Sequence, residues 1–227
     1  MKNNFSIAQC LFNENDYSDG QTQELLQQAE QDESVLARML SDEEMDARPV
    51  RTAVMRAAGH EYAAEFNMYS DYMELFTDSL RDLVHTEAVV GNAAVSIDEP
   101  LPSYAVSQHI SGDFNLTIGL IASEQVYLEL AELYSQEEMP EVNELAIDSV
   151  EEFVNVVNGL FCIELANQKV EAELDTPHSA MNIHPCGSRQ LRLRVYTSIG
   201  PFQAILSVDE FLETTKHTEG PLSGLLL

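Results

Sequence analysis

From Glu61 onward, apolar residues recur at Tyr62, Phe66, Tyr69, Met73, Phe76, Leu80 and Leu83. Steps that alternate between four and three residues mark one seam along an α-helix of roughly seven turns. The period then changes. Residues 104–110 read as a strand, Ser111-Gly112-Asp113 as a turn, and Phe114, Leu116, Ile118 and Leu120 alternate with polar or small neighbours. This pattern predicts an antiparallel hairpin. Ser123 is placed to cap a helix through EQVYLELAELYSQEE. After Pro140 a long helix is expected from about 142 to 167, then a strand over 169–174. LRLRVYTSI and FQAILSV, broken by Gly200-Pro201, predict a second hairpin. Hairpins dominate the order of elements, so the class is α+β: a mostly antiparallel sheet with long helices packed on it.

Residues 1–59 have a different texture. Three short helix-like pieces cover 19–31, 33–47 and 49–59, with Pro49 in the first turn of the third and Gly59 at its end. This stretch is expected to be a small helical N-terminal appendage to a main domain over 60–212, with a C-terminal tail at 213–227 that carries no clear element. Arg38, Arg48, Arg51 and Arg56 cluster in the appendage. They are expected to neutralise nearby acids rather than to form a binding patch.

The 227 residues are 44% hydrophobic, enough to bury a core. The net charge is −28. A field of that sign repels phosphate backbones and anionic bilayers, so neither nucleic acid nor membrane is an expected partner. It is read first as a general solubility device. No apolar run approaches the ~20 residues that span a bilayer, and the first twenty residues show no signal-peptide core. The cysteines are Cys10, Cys162 and Cys186, with no CxxC. They suit reduced thiols in a cytoplasm.

Chemistry concentrates between residues 146 and 164. At 100° per residue, Ala146, Val150, Phe153, Val157, Leu160 and Phe161 share one apolar arc. Asp148, Glu152 and Asn155 fall on the opposite side, and Asn158 lies on an adjoining face. A carboxylate and an amide are thus offered to solvent one turn apart. Such a triplet also describes an ordinary solvated helix face. Elsewhere, His184-x-Cys186 with His178 supplies too few ligands for a metal and reads as a plain loop. G-x-S-x-G, G-x-x-x-x-G-K-[ST] and G-x-G-x-x-G are all absent.

Asp148-x3-Glu152-x2-Asn155, followed by Pro177, resembles the signature of the CheX/CheC/FliY phosphatases of bacterial chemotaxis. The family pattern is Asp or Ser, three residues, Glu, two residues, Asn, about twenty-two residues, then Pro. Here twenty-one residues, 156–176, precede Pro177, and Gly159 matches the family's Asn-x3-Gly run. One motif per chain and the element order from 61 to 212 are closest to CheX. The resemblance implies a CheX/CheC-like fold and hydrolysis of the aspartyl phosphate on a CheY-like response regulator, in the cytoplasm. It implies no cofactor of the chain's own, with Mg²⁺ carried by the receiver. Asn155 would orient the attacking water and Glu152 would pair with the receiver's active-site lysine. Asp148 would support the helix face or contact the partner rim, and Gly159 and Pro177 would support the motif; the family assigns Asn158 no role, but its adjoining face places it to share partner contacts. Homodimerisation would be in keeping with CheX proteins. The alternative is a non-catalytic module of the same fold that binds a receiver or a flagellar or chemotaxis component.

Overall fold

The computed structural model of the chain describes residues 4–31, 46, 48–96, 98–208 and 211–215. Six helices occur among them: α1 (Asn4–Glu14), α2 (Asp19–Gln31), α3 (Pro49–Ala58), α4 (Phe66–Val84), α5 (Glu124–Ser135) and α6 (Glu144–Asn167). The strands are β1 (Ala88–Ala94), β2 (Ser103–Gly112), β3 (Leu116–Ser123), β4 (Ala172–Leu174), β5 (His178–Met181), β6 (Ile183–Cys186), β7 (Gln190–Thr197), β8 (Gly200–Ser207) and β9 (Leu212–Thr215). Seven strands make one sheet in the order β1-β7-β8-β3-β2-β4, with β5 also paired to β2, and β6 and β9 form a separate ribbon. Every pairing is antiparallel, as the two hairpins predict.

Alternation along the strands sorts the core. Val106 and Ile110 of β2, Ile118 and Leu120 of β3, Leu193 and Val195 of β7, and Phe202 and Ala204 of β8 face α3, α4, α5 and α6 in the main apolar cluster. Two smaller clusters complete the packing. Val89 and Tyr196 meet α1 and α2 in one. Ala105, Ile121 and Ile205 meet Ile183 of β6 in the other. Ala53, Val54 and Ala58 of α3 lie within the main cluster. α1 and α3 are tied together where Asn13 Nδ2 donates to the Pro49 carbonyl at 2.8 Å. Gln9 of α1 accepts from the Val90 N–H at 2.7 Å and donates to the Val90 carbonyl at 2.9 Å, completing both peptide groups on the edge strand β1.

Several elements depart from expectation. The aromatic seam is helical only from Phe66, because Gly59, at φ 56°, ends α3 and residues 60–65 form turns. Tyr62 reaches the core from that turn, against Tyr69 at 6.1 Å between ring centroids, and its hydroxyl donates to the Gln190 carbonyl at 3.0 Å. α1 and the short strands β1, β5, β6 and β9 were not foreseen. β4 is shorter than the expected 169–174 strand, since Lys169 turns at φ 64°. The helix expected over 33–47 falls almost wholly outside the described residues, as does most of the tail.

Three of the clustered arginines neutralise acids. Arg48 pairs with Glu74 and, at 3.3 Å, with Asp71; Arg51 pairs with Asp71 at 3.0 Å; and Arg56 pairs with Glu14 at 3.2 Å. Asp71, Glu74 and Asp78 of α4 also face Glu164 near the end of α6. Partial burial, then the charges of Asp71, Asp78 and Glu74, push the Glu164 carboxyl above its ordinary range. A carboxyl raised in the folded chain ionises more readily in the unfolded one. Its ionised form therefore lowers stability as pH rises through the carboxylate range. Glu164→Gln is expected to raise the thermal midpoint at pH 7, with the gain vanishing in acid where the native carboxyl is protonated. Paired thermal melts at pH 7 and pH 3 measure this.

Candidate active site

α6 starts on a well-made cap. Asn143 is extended, and its side-chain oxygen accepts from the Ala146 N–H at 3.0 Å. The helix then buries Ala146, Ser149, Val150, Phe153, Val154, Val157, Asn158, Phe161 and Leu165. This arc is wider than the predicted one, because α6 meets α4 and α5 on one flank and β2, β4 and β5 on the other. Leu160, expected in the core, is 40% exposed. Asp148, Glu152, Asn155 and Gly159 follow one another along the outer face, with Asp148 and Glu152 exposed and Asn155 half-buried.

The opposite wall comes from the chain after β4. Gly112, at φ 137°, closes the β2 end where any Cβ would lie 2.3 Å from the Glu171 carbonyl oxygen, so glycine is required there. That turn lets β4 run back along β2. The Asp175 N–H then donates to the His109 carbonyl at 2.9 Å. Leu174, Asp175, Thr176 and Pro177 thereby face Asp148, Glu151, Glu152 and Asn155 across one open groove. The structure thus brings Asp148, Glu152, Asn155 and Pro177 together from two elements separated in sequence. Gly159 continues the helix stripe, and a Cβ built there meets nothing within 4 Å. Nothing in the fold demands glycine at that position.

The groove carries four carboxylates, Asp148, Glu151, Glu152 and Asp175, and one amide. A bare anion would be repelled. A phosphoryl group could enter only together with cations. Tyr134 lies alongside, its hydroxyl pushed above the ordinary value by burial and then by the Glu152 charge.

Asn155 is not held by the helix alone. Its Oδ1 accepts from Gln108 Nε2 at 2.9 Å, and its Nδ2 lies 3.5 Å from Glu152 Oε2. Gln108 Nε2 also donates to the Asp175 carbonyl at 2.7 Å, and Gln108 Oε1 accepts from Asn158 Nδ2 at 2.8 Å. Asn158 Oδ1 accepts from the Tyr72 hydroxyl at 3.0 Å. Asn158, expected to contact a partner, is fully buried. It sits where α6 turns from open face to core, and its amide is consumed by Gln108 and Tyr72. Sequence reasoning missed Gln108 and Tyr72. The available signal was a glutamine between Val106 and Ile110 on the core-facing side of a predicted strand.

His184 and Cys186 lie in strand β6, not in a loop, and His184 Nδ1 meets Asp98. Among the described residues, no group of three or more His, Cys, Asp or Glu side chains could hold a metal ion. No described helix is long and apolar enough to cross a membrane.

Comparison with known proteins bears on the fold. Residues 104–192 match the family model "Chemotaxis phosphatase CheX", a span that holds α6, the groove loop and Gln108. Among solved structures, the chain is similar to a chemotaxis protein CheX from Desulfovibrio desulfuricans, with 15% identity and a TM-score of 0.54 over 63% of this chain and 99% of that one. A CheC-like superfamily protein from a Shewanella species aligns at 14% identity and a TM-score of 0.53, over 63% of this chain and 98% of that one. A third match, from a CheX–CheY–BeF₃–Mg²⁺ complex of Borrelia burgdorferi, has 16% identity and a TM-score of 0.50 over 62% of this chain and 96% of that one. No curated protein matches significantly. Family model and fold agree: residues 104–192 match the CheX model, and the chain has the fold of the CheX- and CheC-like structures.

Proposed function

We propose that the groove dephosphorylates the aspartyl phosphate of a CheY-like receiver, with Asn155 orienting the attacking water and Glu152 engaging a cation of the receiver. The observation that carries this reading is the pairing of one amide with surrounding carboxylates on the open face of a helix whose other face is locked in the core. An aspartyl phosphate on a receiver arrives with its own neutralising cations, Mg²⁺ and a lysine. It lacks a positioned water. Phosphoryl transfer is governed mainly by positioning and charge stabilisation. The water oxygen attacks phosphorus as the bond to the aspartyl oxygen breaks. Free carboxylate and inorganic phosphate result, and both hydrogens of the water leave with the phosphate as H₂PO₄⁻.

A neutral amide suits the place nearest the phosphoryl oxygens, where a carboxylate would repel them. Asn155 Oδ1 takes one hydrogen bond from Gln108 and keeps a second lone pair for a water hydrogen. Glu152, one turn earlier and exposed, can reach a lysine at the rim. Asp148, Glu151 and Asp175 extend the negative field that draws the receiver's cations inward. The CheX from Borrelia burgdorferi is named in complex with CheY, BeF₃ and Mg²⁺, which supports a receiver as the partner here. Gly159 leaves a flat spot beside Asn155, suited to close approach of a partner backbone.

Asn155→Ala is expected to lower turnover about 10²- to 10³-fold while receiver affinity stays within a few-fold. Rates and titrations with phosphorylated receiver measure both, and near-normal turnover would overturn the assignment.

Glu152→Ala should weaken affinity and turnover together. Unchanged affinity by titration would remove the proposed cation contact.

Gly159→Ala separates fold from docking. With open space around it, the methyl should raise stability by about 0.5–1 kcal/mol in urea unfolding. It should also weaken receiver binding by standing on the docking face. Equal affinity would show that no partner rests there.

A further inference from the structure

We infer that Gln108 is a positioning residue for Asn155: it fixes which way round the Asn155 amide sits, so that Oδ1 and its free lone pair stay in one place. This rests on Asn155 being the water-orienting group.

A backbone carbonyl oxygen can only accept. The Gln108 atom 2.7 Å from the Asp175 carbonyl is therefore its NH₂ group. The same nitrogen lies 2.9 Å from the Asn155 side chain, so the Asn155 atom it meets is the oxygen, with one lone pair engaged by Gln108 and the other left for the water. Gln108 Oε1 then needs a donor, and Asn158 Nδ2 supplies it at 2.8 Å. Asn158 Oδ1 in turn takes the Tyr72 hydroxyl at 3.0 Å. Burial pushes the Tyr72 hydroxyl well above its ordinary value, so it remains a donor. Each link has one allowed orientation. Flipping Asn155 would set its NH₂ against the Gln108 NH₂.

Gln108 and Asn158 are 1% and 0% exposed, so water does not readily replace these bonds. Gln108 stands on β2, paired on one side to β3 and on the other to β4 and β5, and not on α6. It ties the helix wall to the loop wall, since Asn155 and Asp175 share its two N–H groups. Without it, the Asn155 amide can flip and swing, and only part of the population presents the working arrangement to water.

The test uses the full chain and phosphorylated receiver. Gln108→Met keeps length and removes both donors. It is expected to lower kcat about 10- to 100-fold with KM within two-fold. In an Asn155→Ala background the same substitution should lower turnover no further. A readout free of the receiver accompanies it: the Asn155 side-chain amide protons, assigned by their loss in Asn155→Ala, should be dispersed in the parent protein and collapse toward free-amide positions in Gln108→Met. Gln108→Glu, of equal size and able to accept from Asn158, serves if Gln108→Met does not fold, and should show the same loss. Unchanged amide resonances, an effect on KM alone, or an equal loss in the Asn155→Ala background would each overturn the inference. If Asn155→Ala itself keeps full turnover, the functional reading fails, and the amide spectrum still decides whether Gln108 holds Asn155. If Asn155→Ala is inactive and Gln108→Met is not slowed, this inference alone fails.

Discussion

Phe153 sits between α4 and α5, with Phe76 at 6.1 Å and Tyr134 at 5.7 Å, both edge to face. A helix has no preferred roll of its own. Once one large ring is wedged between two other helices, the direction of every other side chain follows at 100° per residue. Asp148, Glu152, Asn155 and Gly159 then fall within about 60° of one another, opposite the centre of the buried arc. Asn158 falls only about 60° from Asn155, but on the inner side of that boundary. The groove is a by-product of this aromatic wedge. A different roll would drown the amide or strand it in solvent.

The boundary is where apolar packing gives way to a hydrogen-bonded chain of Tyr72, Asn158 and Gln108. Burying amides is unfavourable unless each donor and acceptor is met. Here the bonds run in one direction, from a hydroxyl in α4 through α6 to β2 and out to Asn155 and the backbone of Asp175. The core therefore reaches the site through polar groups whose orientation is set, while the surrounding phenylalanines set only distance. The groove loop has a second anchor in the Asp175 N–H bond to His109. The loop and the helix are thus referenced to the same strand.

The long elements were legible because their periods are long enough to be unambiguous. The two hairpins, α5 and α6, and the stripe Asp148, Glu152 and Asn155 appear where the pattern puts them. The short strands were not legible. β1 carries Gly91 and a register shift after Val90, which break alternation, and β5 and β6 have four residues each. Tyr62 kept the seam's spacing while leaving the helix, because burial constrains where a ring goes and not how its backbone arrives. Leu160 and Asn158 show the limit of a helical wheel. A wheel assumes one buried side, whereas α6 is packed on two flanks, so an amide was buried and a leucine left out. Pro177 was placed with the motif by family likeness alone. Its approach to Asn155 depends on Gly112 and β4, which no periodicity reports.

Gln9 adds a feature of a different kind. An edge strand offers peptide groups to any extended segment that comes alongside, and this is how sheets recruit further strands. At Val90 that offer has been taken up internally, since one glutamine side chain imitates the amide and carbonyl of a neighbouring strand. The imitation is one residue long and propagates nothing, because a side chain has no next peptide to present. Growth of the sheet past β1 at this point requires α1 to let go first. At Val90, α1 thus acts as a terminator for β1.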